Sequence, residues 1–194
     1  MAERVRITDV SPRDGLQNEA GVIPALEKVR LVELLCATGV DEVEVTSFVS
    51  AKWVPQLGDA REVFEGLAGL GLTPLPGGEG GVRQPVLSVL VPNERGMQSA
   101  LEVHGRGRLI GKVSVFTAAS ETFSQRNTNA AIAETLERFK PVIAAARENR
   151  LPVRGYISCA VECPFEGPVA PAKVADVAAQ LVRLGVDEID LGDT

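Results

Sequence analysis

The segment Thr8 to Glu19, TDVSPRDGLQNE, sets a cation, Arg13, directly beside a carboxylate, Asp14, in a polar turn with Pro12 and Gly15. A short β-type run, Val5 to Val10, leads into it. The pair therefore falls at the C-terminal end of a first strand, where the chemistry of parallel α/β folds collects. A guanidinium is a flat five-donor fork suited to a carboxylate or a developing enolate. An Asp carboxylate is a hard oxygen ligand for a divalent cation. The competing reading is a surface turn with an incidental ion pair, which contributes little. A second polar set lies in GVDEVEVTS, Gly39 to Ser47. Strand alternation there puts Val43 and Val45 on one face and Glu42, Glu44 and Thr46 on the other. Carboxylates on an inward face suit a polar barrel interior or mouth; a half-exposed strand is the alternative.

Other chemistry is sparse. There is one histidine, His104, near a helix end before HGRGR, which reads as a surface residue. No pair of histidines can bind a metal within these residues. Cys36, Cys159 and Cys163 give no disulfide framework. Cys36 falls in a helical apolar pattern, and C-x3-C at Cys159 and Cys163 is not zinc-ribbon spacing, so packing is the favoured role. The glycines of Leu72 to Gln84, LTPLPGGEGGVRQ, lack the Lys-Ser/Thr ending of a phosphate loop and open no helix. They read as a flexible connection.

Composition narrows the classes. The chain has 194 residues, 45% apolar and 24% charged, with few aromatics, an ordinary globular balance. A net charge of −6 argues against a general nucleic-acid binder, which carries a basic face. No apolar run reaches the length of a membrane-spanning helix. The charged MAERVR start does not resemble a secretory signal, and the expected location is cytoplasmic.

Elements able to position these groups follow in alternation. Ala25 to Thr38 reads as an amphipathic helix with Leu26, Val29, Leu31, Leu34 and Leu35 at helical spacing, stopped by Gly39. Phe48 to Asp59 is a loop holding the only Trp, and Ala60 to Leu70 a short helix. Strands are expected at Val86 to Val91, Lys112 to Phe116, Val153 to Ser158 and Glu188 to Leu191. Helices are expected at Asn93 to His104, in the stretch ending near Asn149, and at Pro171 to Leu184. Thr117 to Asn129 reads as a polar loop. GVDEVEV at Gly39 returns as GVDEIDL at Gly185, each after a leucine-rich helix. Alternation with an internal echo implies right-handed βαβ units and favours a parallel (β/α)8 barrel over an open dinucleotide sheet, whose G-x-G-x-x-G is missing. Six strands are found where a barrel closes with eight in about 250 residues. The expectation is one (β/α) barrel domain over 1–194, of α/β class and truncated after about six strands.

Four blocks carry a specific resemblance: SPRDGLQNE at Ser11, EVTSFVSAKWVPQLGD at Glu44, ASETFSQRN at Ala119 and RGYISCAVECPFEG at Arg154. In this order the chain resembles the hydroxymethylglutaryl-CoA lyases, of the metal-dependent TIM-barrel lyase and synthase family. The R-D-G-x-Q turn alone indicates the wider superfamily; KWVPQ and RGY-x-SC-A narrow it. The resemblance implies a retro-Claisen cleavage of 3-hydroxy-3-methylglutaryl-CoA to acetyl-CoA and acetoacetate, with Mg2+ or Mn2+ as cofactor. It also implies an acyl-CoA partner, a homodimeric full-length form, and a place in leucine breakdown or a related acyl-CoA pathway. It assigns Asp14 as metal ligand, Arg13 as the enolate-stabilising cation, and Gln17 and Glu44 to the polar mouth. Arg154 and Thr194 match further polar lining positions, while Asn93 and Ser120 to Asn127 fall near the CoA arm. The family's H-x-H ligands, Asn ligand and catalytic Cys have no counterpart in these residues, and neither Cys159 nor Cys163 matches that Cys. Two alternatives stand beside the lyase: a synthase joining acetyl-CoA to a 2-oxo acid, and a noncatalytic barrel fragment that pairs its open edges with a partner.

Overall fold

A computed structural model describes residues 4–70, 84–105 and 107–193. The connection expected at 72–84 lies outside these residues except for Gln84, as does Thr194. The chain forms two compact units, Met1–Leu90 with Gln98–Lys112, and Val91–Met97 with Val113–Thr194.

In the first unit β1 (Thr8–Asp9), β2 (Glu42–Ser47) and β3 (Val86–Leu90) pair in parallel, Thr8 opposite Glu42 and Glu42 opposite Val86. Helices α1 (Ala25–Ala37) and α2 (Ala60–Gly69) return the chain between them. The first strand is shorter than the expected Val5 to Val10, because Val5 and Ile7 are exposed and the Asp9 carboxylate turns the chain by accepting from the Ser11 N–H and hydroxyl. The buried side of α1 also differs from the leucine stripe. It centres on Lys28, Val29 and Val32, while Leu26 and Leu34 face solvent. Periodicity located the helix but chose the wrong face, since Lys28 finds buried partners that a hydrophobicity pattern does not reveal. Every residue of β2 is buried, which excludes the half-exposed strand. Its pairing with β3 slips by one residue between Glu44 and Thr46. Strict alternation therefore ends at that bulge, which re-aims the side chains beyond it.

In the second unit β4 (Lys112–Ala118), whose first residue belongs to the other unit, pairs in parallel with β5 (Val153–Ser158), and β5 with β8 (Glu188–Leu191). Helix α5 (Ile132–Glu148) and α6 (Pro171–Leu184) make the returns, and α3 (Glu94–His104) begins in this unit. A two-residue hairpin, β6 (Glu162–Cys163) with β7 (Gly167–Pro168), folds within the loop after β5. The stretch expected as a polar loop from Thr117 is the end of β4 followed by a helix, α4 (Glu121–Thr128). Its low apolar content hid it. Ser120 caps it by accepting the Phe123 N–H at 3.1 Å, and Asn129 ends it in the left-handed region.

The sequence echo is a repeated joint. Gly39 and Gly185 take φ of +86° and +102° after α1 and α6, a conformation that suits glycine. Two residues on, the aspartate grips the start of the preceding strand. Asp41 accepts the Ile7 N–H at 3.1 Å, and Asp187 accepts the Val153 N–H at 2.8 Å. The next residue is a glutamate paired to a cation, Glu42 with Lys112 and Glu188 with Arg154. Asp187→Ala leaves the half-buried Val153 contact without its acceptor and is expected to cost about 1 kcal/mol in urea unfolding.

Candidate active site

The chain after Val10 does not enter an ordinary turn. Ser11–Gly15 forms one π-helical turn, closed when the Leu16 N–H donates to the Ser11 carbonyl, with Pro12 buried beneath it. Such wide turns recur at functional sites. Here the turn delivers Arg13 and Asp14 side by side. Arg13 Nε donates to Glu44 Oε2 and Nη1 to Asp14 Oδ1, both at 2.6 Å. The three side chains grade from interior to solvent: Glu44 is 0% exposed, Arg13 12% and Asp14 60%. Buried Glu44 therefore fixes the plane of the guanidinium. The Asp14 contact, in solvent, is weak enough to be exchanged for a cation or an anionic ligand. Gln17 stands exposed just past this turn.

In the second unit Arg154 is 1% exposed on β5. It donates through Nε and Nη2 to Glu188 Oε1 at 3.1 and 2.8 Å, and through Nη1 to the Tyr156 hydroxyl at 3.1 Å. Glu188 and Tyr156 escaped the sequence reading. The echo of Glu42 and the i, i+2 spacing from Arg154 were the signals that pointed to them. Asn93 is exposed, and its Oδ1 accepts the Gly96 N–H at 3.0 Å at the start of α3. Its carbonyl side thus serves the helix.

The cysteines form no disulfide. Cys159 and Cys163 are buried, Cys159 in the left-handed region at φ +59°. Burial opposes ionisation of Cys163, but hydrogen bonding outweighs it and holds the thiol below its ordinary pKa. The partners are the Ser120 hydroxyl at 3.0 Å, the Phe165 and Glu166 backbone and Cys159. Ser120→Ala is expected to cost about 1 kcal/mol through the lost α4 cap. It should also move the Cys163 titration to higher pH, followed by its 13Cβ shift. His104, half-buried at the end of α3, is pushed down by burial and by Arg108, against a backbone bond to Ile110. It meets none of the candidate site residues in the hydrogen bonds seen here.

These features define a parallel (β/α) protein of the TIM-barrel type with an arginine–carboxylate turn at the end of its first strand. The HMGL-like family model matches residues 4–194, and the chain belongs to that family. It is 46% identical over 191 residues to the mitochondrial hydroxymethylglutaryl-CoA lyase of Gallus gallus, covering 98% of this chain and 58% of that protein. It is 46% identical over 194 residues to the 3-hydroxy-3-isohexenylglutaryl-CoA/hydroxy-methylglutaryl-CoA lyase of Pseudomonas aeruginosa, covering 100% and 59%. The crystal structure of the HMG-CoA lyase from Brucella melitensis superposes with a TM-score of 0.86 at 46% identity, over 100% of this chain and 62% of that one. The chain thus spans 58–62% of the length of these relatives.

Proposed function

We propose that this chain carries the first part of a hydroxymethylglutaryl-CoA lyase active site, for metal-dependent cleavage of 3-hydroxy-3-methylglutaryl-CoA to acetyl-CoA and acetoacetate. The observation that supports this most is the Arg13 guanidinium, oriented by buried Glu44 at the end of β1. Cleavage leaves an enolate on the acetyl thioester. A cation held in place before the bond breaks stabilises that charge without reorganising. Glu44 holds Arg13 in one orientation and keeps its charge compensated while the site is empty of substrate.

The donor set fits a divalent cation as one ligand. Asp14 offers an exposed hard carboxylate, and among the described residues no group of three His, Cys, Asp or Glu could hold a metal by itself. Asp14 would hold Mg2+ or Mn2+ here, and the ion would supply Lewis acidity toward the substrate's tertiary hydroxyl and carbonyl oxygens. Gln17, Arg154, Asn93 and Thr194 enter the proposal as substrate-binding positions. Leucine breakdown and a homodimeric complete form belong to it as well and rest on the resemblance, while a cytoplasmic location rests on the charged MAERVR start. No helix among the described residues is long and apolar enough to cross a membrane.

The test is acetoacetate release from 3-hydroxy-3-methylglutaryl-CoA with added Mg2+ or Mn2+, by this chain and by a form extended to the length of the relatives. A parallel assay supplies acetyl-CoA with a 2-oxo acid. Turnover in the first assay by the extended form supports the lyase. Turnover confined to the second makes the protein a synthase. Inactivity of both forms in both assays overturns the enzymatic reading.

A further inference from the structure

Gln56, in the 3-10 turn Pro55–Leu57 before α2, is a buried amide committed to one stretch of backbone. Its Oε1 accepts the Ile23 N–H at 2.8 Å, and its Nε2 donates to the Leu16 and Gly21 carbonyls at 3.2 and 3.0 Å. Leu16 is also the residue whose N–H closes the Ser11–Gly15 turn. It is therefore tied by its N–H to the turn that presents Arg13 and Asp14, and by its C=O to Gln56. Packing supplies little of this constraint, because Leu16 and Ile23 are only half-buried and residues 17–22 are exposed, and the Glu19 N–H bond to the Leu16 carbonyl is local to the turn. Gln56 is itself fixed from behind. Buried Lys28 donates to the Gln56 carbonyl and to both oxygens of Asp59, the latter at 2.8 Å. A buried lysine and a buried amide, both costly to desolvate unless fully bonded, are here used to hold an exposed loop.

We propose that Gln56 is a positioning residue: it holds the segment 16–23 and, through Leu16, the π-turn that aims Arg13 and Asp14. This rests on the reading of Arg13 and Asp14 as the reacting groups. A loosened turn would leave both side chains present but poorly aimed, which lowers the rate of the bound complex more than it weakens substrate binding.

The experiment compares Gln56→Met, which keeps the length and loses all three bonds, with Gln56→Glu, which keeps the acceptor for Ile23 and loses both donors. Amide exchange is followed in this chain at Leu16, Ile23, Val43 and Val45, together with urea unfolding. Gln56→Met is expected to speed exchange at Leu16 and Ile23 by about tenfold beyond any change at Val43 and Val45. Gln56→Glu should restore protection at Ile23 and leave Leu16 fast. In the extended form Gln56→Met should lower kcat about ten- to a hundredfold with KM within a few-fold. Equal acceleration at all four amides, or unchanged exchange at Leu16, overturns the proposal, as does an unchanged kcat. If the parent form shows no lyase activity, the functional reading fails separately, and exchange at Leu16 alone decides whether Gln56 holds the turn.

Discussion

Replacing Arg13 by Gln in a catalytically active, extended form of this chain is expected to lower kcat for acetoacetate release by about 10²–10³-fold, with a smaller change in KM. The magnitude is that of removing one preorganised donor from a developing oxyanion. The split between the two constants follows from timing, since enolate charge appears only as the carbon–carbon bond breaks. Glutamine keeps a donor and most of the length. Glu44, with no exposed surface, keeps a hydrogen-bonding neighbour but loses its charge partner, so urea unfolding of the variant accompanies the assay to separate a loss of fold from a loss of rate. Glu44→Gln tests the other half of the arrangement. It keeps an acceptor toward Arg13 Nε but removes the charge that fixes the guanidinium, and its loss of kcat should be smaller than that of Arg13→Gln. A larger fall in KM-dependent binding than in kcat for Arg13→Gln would assign the guanidinium to ground-state binding of a carboxylate instead.

The largest stability effect is expected two residues before Glu44 on β2, at Glu42. Lys112 is 6% exposed and sits 2.6 Å from the carboxylate of Glu42, which is 0% exposed; Arg6 approaches that carboxylate from solvent at 3.4 Å. Lys112→Met removes the ammonium while leaving the buried carboxylate, and should destabilise the chain by about 3–5 kcal/mol in urea unfolding. The double variant Lys112→Met with Glu42→Gln takes away both charges and should recover a large part of the loss. If the single and double variants fall equally, the cost is packing around the lysine stem rather than charge.

Much of this was legible in the chain because it is written locally. The alternation of strands and helices, the glycine stops and the GVDE echo depend on residues within one turn or one strand. The strands Val153–Ser158 and Glu188–Leu191 and the helix Pro171–Leu184 fall at the expected boundaries. The Arg13–Asp14 pair at one strand end and the inward carboxylate of Glu44 on the next strand were legible as separate features. That Glu44 holds the Arg13 guanidinium is a contact the structure supplies.

What composition and periodicity could not convey was decided by partners distant in sequence. α4 has little apolar periodicity to reveal it, and its first turn is held by polar groups, the Ser120 cap and the distant Glu166 carboxylate that accepts the Thr122 N–H. The buried side of α1 was misjudged because Lys28 is satisfied by Gln56 and Asp59, about thirty positions away along the chain. The π-turn that sets Arg13 beside Asp14, the bulge in β2 and the Gln56 clamp on Leu16 are likewise invisible to a local reading. The sequence by itself determined the candidate groups and the elements on which they ride. Only the tertiary structure decided how they are held, because buried polar groups take the orientation that satisfies their hydrogen bonds, and those bonds are made across the fold.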